Sequence, residues 1–339
     1  MKILYLGCET GTSGHRLSAL RRLGHEVQVR DPGSLVPKMR LTAVWQRYFG
    51  SVGLALGVQK RILEGLPAPG RFDLVWVDSG GLVSRELVED LKRFGKRVLN
   101  YNVDDPYGPR DLNLWHQYRR AVCAYDLVVV VRKENVEEAH ALGARKVLLV
   151  YRSADEVAHA PLDLSDEERA KWETEVLFVG TAFPERGPFF EELVRFGVPL
   201  SIYGGLWENL KEWKVLRPHW KGPNLLEKYT YAAAIQSAKV CLGLLSKENR
   251  DLHTTRSMEI PSLGGVFCAE RTEDHLALYT EDEEAVFWSS AEECAAKCRA
   301  LLADDAWRRS VAEKGRRRYV KNGWTNMKVA EKILNAAFE

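Results

Sequence analysis

The stretch from Asp251 to Gly265 concentrates groups that could bind an anion and a sugar. Thr254, Thr255 and Arg256 offer side-chain donors at the predicted start of a short helix, where free backbone N–H groups and the positive end of the helix dipole point outward. An apolar run that reads as a buried strand comes just before, and α/β proteins bind phosphates at such turns. Glu259 lies one turn further on, where its carboxylate could accept hydrogen bonds from paired sugar hydroxyls.

These residues also have structural interpretations. A Thr-Thr pair often only caps a helix, and Arg256 could pair with Glu259 at i, i+3 on a solvated face. His253 could stack or bond near a phosphate, or merely fill the turn. Because they occur together at the end of a buried strand, we predict a nucleotide or phosphate site here.

A second group of candidates occupies the first half of the chain. Asp78, Asp104 and Asp105 each come just after a predicted strand, and His15 follows the first predicted strand and its glycines. Any of these side chains could act as the base that deprotonates an attacking hydroxyl group. Asp105 precedes Pro106 and is therefore biased towards an extended backbone. The Asp104-Asp105 pair could equally form a turn and a helix cap.

The elements that position these groups alternate regularly. Predicted strands and helices follow one another in both halves, which indicates parallel sheets with right-handed crossovers. We predict a first Rossmann-like domain over 1–152, a linker over 153–173, a second Rossmann-like domain over 174–322 and a C-terminal helix, 323–339, that packs back on the first domain. Within the second domain a helix is expected from about Leu225 to Ser237. The ligand ends of the two sheets would face each other across a cleft.

The first strand is followed by Gly7, Gly11 and Gly14. Their spacing differs from the GxGxxG fingerprint of dinucleotide-binding proteins, and the trailing acid is missing. An oxidoreductase is therefore the least favoured class.

The composition of the chain limits the classes of partner that it could bind. The chain has 339 residues and a net charge of +2, so about two domains are expected and nothing calls for nucleic acid. Neither a secretory signal nor a membrane-spanning stretch is predicted, which favours a cytoplasmic protein. Residues 35–68 are basic and aromatic and could lie on a membrane surface or help form an acceptor pocket. We expect instead a packed helix with a solvated face, and at most peripheral membrane contact.

Six cysteines are scattered without a CxxC pair. Cys294 and Cys298 lie four residues apart on a predicted helix, but no matching pair of ligands follows at a second spacing. We therefore expect buried free thiols and no metal.

Several short motifs carry a family resemblance. The first half contains Asp104-Asp105-Pro106. Between Val176 and about Arg318 the motifs are Phe178-Val179-Gly180 with Arg186, Ile202-Tyr203-Gly204, and Arg256 to Pro261 with Gly264-Gly265. The two-domain plan is a further point of resemblance. With these motifs the chain resembles GT-B glycosyltransferases, an α/β fold of two tandem Rossmann-like domains. More narrowly, it is similar to the family 1/4-like group related to the spore-maturation protein CgeB.

The resemblance implies roles for individual residues. Glu259 would bind the ribose of a nucleotide-sugar donor, and Arg186 and Arg256 would hold its diphosphate. Asp251 stands where many relatives carry a second glutamate. The fold normally needs no metal, and no cofactor is implied beyond the donor substrate. The donor-binding residues expected in this way are Gly180, Arg186, Tyr203, Gly204, His253, Thr254, Thr255, Arg256 and Glu259.

The predicted function is thus the metal-independent transfer of a hexosyl or related group from a nucleotide-diphosphate sugar to an acceptor hydroxyl. The acceptor is an unidentified saccharide, small molecule or protein. Two alternatives stay open at this point, a nucleotide-sugar epimerase of the same fold and a non-catalytic nucleotide-sugar-binding protein.

Overall fold

The structure is a computed structural model that describes residues 1–223, 225 and 228–339. The chain forms two compact units. Unit 1 comprises Met1–Arg152, Lys247–Arg250 and Thr325–Glu339, and unit 2 comprises Ser153–Ser246 and Asp251–Trp324. Each unit is built around a parallel six-stranded sheet.

The chain up to residue 152 alternates strands with helices. The elements in order are β1 Lys2–Leu6, α1 Gly11–Arg22, β2 Glu26–Arg30, α2 Arg40–Phe49, α3 Leu54–Glu64, β3 Phe72–Asp78, α4 Arg85–Leu91, β4 Gly95–Tyr101, α5 His116–Ala121, β5 Leu127–Val130, α6 Glu134–Ala141 and β6 Val147–Leu149. The strand order is β2-β1-β3-β4-β5-β6, so the topological switch lies between β1 and β3.

The remaining elements complete both units. In order they are α7 Asp166–Trp172, β7 Thr174–Val179, α8 Arg186–Arg195, β8 Leu200–Tyr203, α9 Trp213–Leu216, β9 Trp220–Gly222, α10 Lys228–Ser237, β10 Ala238–Gly243, α11 Arg256–Ser262, β11 Phe267–Glu270, α12 Glu273–Leu278, β12 Val286–Trp288, α13 Ala291–Ala303, α14 Asp305–Asn322 and α15 Asn326–Phe338. The sheet of unit 2 has the order β12-β11-β10-β7-β8-β9, which is the strand order of dinucleotide-binding Rossmann domains. Its topological switch lies between β7 and β10.

The sheet of unit 1 is covered on both faces. One face packs against α3, α4 and α5, and the other against α1 and the C-terminal helix α15. Ile333 and Leu334 of α15 lie in the same buried cluster as Leu17 and Leu20 of α1. Burial on both faces explains why the central strands are apolar at nearly every position instead of alternating.

Two segments differ from their sequence-based description. The stretch 153–173 contains α7, which starts with a capping box in which Ser165 and Glu168 satisfy each other's backbone N–H groups. It belongs to unit 2. The helix expected from about Leu225 to Ser237 is described from Lys228 onwards, and residues 226 and 227 of its expected range lie outside the described residues.

The expectation of a packed helix within residues 35–68 is wrong for α2. No residue of this helix is buried. Its apolar side chains face away from the unit, whereas α3 buries Ala55, Val58 and Ile62. Sequence periodicity predicts an amphipathic helix but not whether the protein itself covers the apolar face. Among the described residues, no helix is long and apolar enough to cross a membrane.

Candidate active site

The predicted anion site lies at the topological switch of unit 2. Loops leave the carboxyl ends of β7 and β10, which are neighbours in the sheet, and run into α8 and α11. Ligands of open α/β sheets bind at this point because the two loops diverge there. One arginine comes from each loop, Arg186 at the start of α8 and Arg256 at the start of α11.

Arg186 is a buried cation whose partners are neutral. Its side chain donates to the carbonyl oxygens of Thr181, at 2.6 Å, and Leu245, at 3.2 Å. The guanidinium lies 4.3 Å from the ring centroid of Phe183 and 5.3 Å from that of Phe178. Within the described residues no carboxylate forms an ion pair with it, and its Nε has no hydrogen-bond partner.

Burial lowers the pKa of Arg186 to about 10. The carboxylates of Glu185 and Glu270 act against this shift and the charge of Arg256 adds to it, but no carboxylate of the described residues lies within ion-pair distance. The side chain therefore stays charged at neutral pH while it is only 7% exposed. A desolvated cation without an anionic partner is unfavourable. An anion bound here would restore the missing interaction.

Arg256 reaches the same strand end. Its Nε lies 3.4 Å from the carbonyl oxygen of Val179, the last residue of β7, and its guanidinium lies 4.7 Å from the ring centroid of Tyr231. It also forms an ion pair with Glu259. Arg256 donates to the last residue of β7 and Arg186 to Thr181, two residues further on, so both guanidinium groups lie beside the loop that follows β7.

Glu259 is enclosed by its partners. Its side chain is 4% exposed; one carboxylate oxygen accepts from the Tyr231 hydroxyl at 3.0 Å and the other lies 3.4 Å from Nε2 of His159. Burial acts to raise the pKa of Glu259, but Arg256 and His159 outweigh it, so the pKa falls below its usual value. In this structure the carboxylate fixes Arg256. Its contact with a ribose stays the prediction of the resemblance.

His159 lies in the segment predicted as a linker. The backbone N–H of Asp155 donates to its Nδ1 at 3.0 Å, so the proton of the neutral ring is on Nε2 and points to Glu259. The Ser262 hydroxyl donates to the His159 carbonyl oxygen at 2.8 Å. Residues 153–173 therefore contribute directly to this site.

A hydrogen-bond chain holds the turn before α11. The backbone N–H of Thr254 donates to Ser257 Oγ at 3.0 Å, and Ser257 Oγ lies 2.9 Å from Nε2 of His275. Nδ1 of His275 lies 2.6 Å from the Glu270 carbonyl oxygen. Burial lowers the pKa of His275 to about 4, so the ring is neutral and its two nitrogens play opposite roles.

The other predicted donors of the turn are placed differently. His253 is buried, and its Nδ1 lies 2.7 Å from the carboxylate of Asp274, so this nitrogen is held by the protein. Thr255 precedes α11 without a side-chain capping bond. The helix has only seven residues and contains Pro261, so the arginine side chains supply more of the local positive charge than its short dipole.

Three of the predicted donor-binding residues lie at the ends of β7 and β8: Gly180, Tyr203 and Gly204. Gly180 follows β7, and its N–H donates to the Tyr203 carbonyl oxygen at 2.9 Å. A Cβ at position 204 would overlap the carbonyl oxygen of Gly180, so only glycine fits there. The half-buried Tyr203 ring lies 6.3 Å from that of Trp172, measured between centroids.

Asp105 of unit 1 is held by an ion pair. Arg250 donates to both of its oxygens, at 2.6 and 2.8 Å, and Asn135 donates at 3.0 Å. Burial acts to raise the pKa of Asp105, but Arg250 and Asn135 outweigh it and the pKa is lowered. A buried carboxylate with these bonds is poorly suited to accept a proton, so the structure favours a structural role for it.

Asp78 has a similar environment. Arg16 forms a bidentate pair with it, with both nitrogen–oxygen distances 2.7 Å, and the Tyr5 hydroxyl donates at 2.8 Å. The three side chains come from the neighbouring strands β1 and β3 and from α1. This pair fixes the start of α1 at the switch point of the first sheet.

Asp104 and His15 remain the more accessible candidates. The side chain of Asp104 is 42% exposed and lies 3.8 Å from Arg110. His15 is half-buried in the second turn of α1. Their role as a base stays a prediction.

A cavity of about 290 Å³ opens at the switch point of unit 1. It lies where the loops after β1 and β3 diverge, which is the position expected for a ligand in such a sheet. Its lining includes Gly7, Ser13, Asp78, Ser79, Gly80 and Trp115.

A third cysteine joins the pair on α13. Cys268 of β11 lies with Cys294 and Cys298 so that the three Sγ atoms are within 4.8 Å of one another, all buried. Among the described residues this is the group whose ligands would suit a soft metal ion. It lies inside the hydrophobic core of unit 2, where a charged three-thiolate complex would be poorly solvated. Core packing describes it best, and the absence of a metal stays a prediction.

Several residues of these sites have no signal in the sequence. Tyr231, His159 and Arg250 come from distant segments and meet their carboxylate partners only after folding. Glu270 was also missed, although its position at the end of β11 could have indicated a site residue. Its carboxylate accepts from the Leu245 N–H at 2.9 Å and fixes the loop after β10.

Comparison with known proteins agrees with this geometry. Residues 186–335 match the protein family described as glycosyl transferase-like. The match begins at Arg186 and includes Arg256 and Glu259. A comparison with curated protein sequences gives no significant match.

Solved structures share the fold along the whole chain. A sucrose-phosphate synthase from Thermosynechococcus elongatus is 13% identical with a TM-score of 0.70, over 100% of this chain and 99% of its own. HepE from Anabaena, in complex with UDP and glucose, is 12% identical with a TM-score of 0.65, over 99% and 98%. A UDP-forming α,α-trehalose-phosphate synthase from Burkholderia vietnamiensis is 13% identical with a TM-score of 0.64, over 100% and 99%. The chain therefore has the GT-B fold, and this prediction is confirmed.

Proposed function

We propose that the protein is a glycosyltransferase that transfers a sugar from a nucleotide-diphosphate donor to an acceptor hydroxyl. The observation that carries the proposal is the pair of arginines at the end of β7, one of them buried without a carboxylate partner. A diphosphate supplies the negative charge that this pair lacks. The matched family and the UDP complex of HepE support the same donor class.

The chemistry follows from the charges. As the bond between sugar and diphosphate breaks, negative charge accumulates on the leaving group. Arg186 and Arg256 are already fixed by backbone carbonyls and aromatic rings, so they stabilise that charge without having to reorganise. Glu259 keeps Arg256 oriented, and His159 and Tyr231 keep Glu259 in place.

Unit 1 would bind the acceptor in the cavity at its own switch point. Asp104 or His15 would supply a base if the reaction inverts the anomeric centre. The two arginines can neutralise the leaving group, so we propose that no metal or cofactor is required. The narrower likeness to the CgeB-related group, the cytoplasmic location and the absence of a nucleic-acid partner stay predictions of the sequence.

A nucleotide-sugar epimerase and a non-catalytic binding protein are the alternatives. An epimerase needs acid and base groups on both faces of the sugar, whereas the carboxylate of this site, Glu259, is held in an ion pair with Arg256. A binding protein would keep the donor affinity but show no transfer. Donor hydrolysis or transfer to added saccharides therefore distinguishes it from the enzyme.

The test is thermal unfolding with EDTA and a panel of UDP, TDP, GDP and their sugars. A ligand present at about 100 times its Kd adds roughly 2.7 kcal/mol to the free energy of unfolding. We expect one nucleotide to raise Tm in the wild type and to lose this effect in Arg186→Gln.

Arg195→Gln is the matched control, because Arg195 lies at the other end of α8 and its side chain is 69% exposed. It should leave the Tm shift unchanged. If no nucleoside diphosphate raises Tm, or if Arg186→Gln retains the full shift, the donor site is not the one proposed.

A further inference from the structure

Helix α2 presents an uncovered apolar stripe. Leu41, Val44, Trp45, Tyr48 and Phe49 follow the i, i+3, i+4, i+7, i+8 pattern of a helix face that normally packs on a core. In this helix they are 44–74% exposed. The stripe is as regular as that of a core helix, but nothing in unit 1 covers it.

The exposed surface continues beyond the helix on both sides. Met39 precedes it, and Val52 and Leu56 follow it, each at least half exposed. We call these eight side chains the α2 patch: Met39, Leu41, Val44, Trp45, Tyr48, Phe49, Val52 and Leu56. Scattered exposed apolar residues are normal, but an apolar surface concentrated in one segment usually marks an interaction site.

Polar bonds, rather than the stripe, attach α2 to the unit. The backbone N–H and side-chain amide of Asn113 donate to the carbonyl oxygens of Arg47 and Tyr48, at 3.0 and 2.9 Å. Arg47 donates to the Arg110 carbonyl oxygen at 3.1 Å. The helix is thus held in place with its apolar face turned outward.

The charged residues in the segment that carries the patch all have one sign. Between Asp31 and Glu64 the sequence contains Lys38, Arg40, Arg47, Lys60 and Arg61 and no acidic residue. Lys38 and Arg40 also line an open groove of about 390 Å³ beside α2. A partner that is apolar inside and negatively charged at its surface would complement both features.

We propose that the α2 patch binds the surface of an anionic lipid bilayer. A ten-residue helix is about 15 Å long, so it would lie in the interface with its apolar face inserted and not span the bilayer. Trp45 and Tyr48 are side chains that favour the lipid–water boundary. Lys38 and Arg40 would meet anionic headgroups. A second copy of this chain fits less well, because two basic surfaces would be brought together. The proposal does not depend on the proposed enzymatic function.

The test is sedimentation of the full chain with vesicles of phosphatidylglycerol and phosphatidylcholine, compared with pure phosphatidylcholine. We expect binding to the anionic vesicles that weakens as salt is raised. Replacing Leu41, Tyr48 and Phe49 together by Ser should lower the partition coefficient more than tenfold. Lys38→Gln with Arg40→Gln should lower it about fivefold per charge.

Leu276→Ser with Val320→Ser is the matched control, because these exposed apolar residues belong to unit 2. It should leave the partition coefficient unchanged. Binding that is equal for the control and the triple variant, or absent from anionic vesicles, would overturn the proposal. So would a wild-type dimer in analytical ultracentrifugation that becomes monomeric in the triple variant, since a second copy would then cover the patch.

Discussion

Arg186 and Arg256 carry the same charge at the same strand end but have different partners. Arg256 compensates the buried carboxylate of Glu259, whereas Arg186 bonds only to carbonyl groups and aromatic rings among the described residues. Removing one member of a buried ion pair is costly because the other charge stays behind. Removing Arg186 should cost less, because no carboxylate among the described residues is bonded to it and nearby Glu185 and Glu270 act only from beyond ion-pair distance. At the level of single residues, Arg256 therefore contributes mainly to the stability of the fold, and Arg186 mainly to the proposed binding of an anion.

We predict that Arg256→Met lowers the free energy of unfolding by about 3 kcal/mol, because Glu259 is left without its cation. Arg186→Met should change it by less than about 1 kcal/mol, since the lost carbonyl bonds and the relieved burial of charge act in opposite directions. Urea denaturation of both variants measures the two values. Equal destabilisation by the two substitutions would contradict the different roles assigned to them.

The turn before α11 depends on an element outside it. His275 of α12 bonds to Ser257 through one ring nitrogen and to the Glu270 carbonyl through the other, so it links α11, α12 and the end of β11. Protonation would add a second N–H to the ring and break the bond in which Nε2 accepts. At the element scale this histidine makes the position of the arginine-bearing helix sensitive to acid.

We predict a loss of stability between pH 6.5 and 4 that depends on His275. Its pKa is lowered to about 4 by burial, so below about 6.5 the unfolded chain takes up a proton that the folded chain does not. The contribution is full above pH 6.5 and falls by on the order of 3 kcal/mol as pH drops to 4. Measuring the free energy of unfolding against pH should show a flatter curve for His275→Gln.

The control for this curve is His140→Gln, which changes an exposed histidine of unit 1. Its pH dependence should match that of the wild type. A wild-type slope that persists undiminished in His275→Gln would assign the acid sensitivity to other groups.

At the scale of the whole molecule, the chain order and the packing order differ. The chain returns to unit 1 after completing unit 2, and α15 supplies Ile333 and Leu334 to the buried cluster between α1 and the first sheet. The short segment Lys247–Arg250 also belongs to unit 1, where Arg250 pairs with Asp105 and Glu138. Unit 1 is therefore complete only when residues from three parts of the chain are present.

We predict that Ile333→Ala destabilises unit 1 by about 3 kcal/mol, because it opens a cavity in a fully buried cluster. Hydrogen exchange read by mass spectrometry should show lost protection in the strands of residues 1–152, while β7, β10 and β11 keep theirs. Lys332→Ala on the same helix is the control. Unchanged exchange in 1–152, or loss in both units, would contradict an independent core that includes α15.

The fold class and most of the secondary structure can be predicted from the sequence alone. The alternating strands and helices of both units are present as predicted, because apolar periodicity and capping residues act locally. The sequence also singled out Arg256 and Glu259, since groups that follow parallel strands gather at one edge of the sheet, and the family resemblance added Arg186. The partners of these side chains within the folded chain could not be predicted in the same way.

Which charges are compensated and which apolar faces are covered became visible only in the tertiary structure. Asp105 and Arg250 lie 145 residues apart, so no local pattern links them, yet their ion pair argues against the predicted base. His159 reaches Glu259 from a stretch that looked like a linker, and Cys268 joins two cysteines of another element. The stripe of α2 has the sequence of a buried face and is exposed. Partner choice and burial depend on what packs alongside, and that is a property of the whole fold.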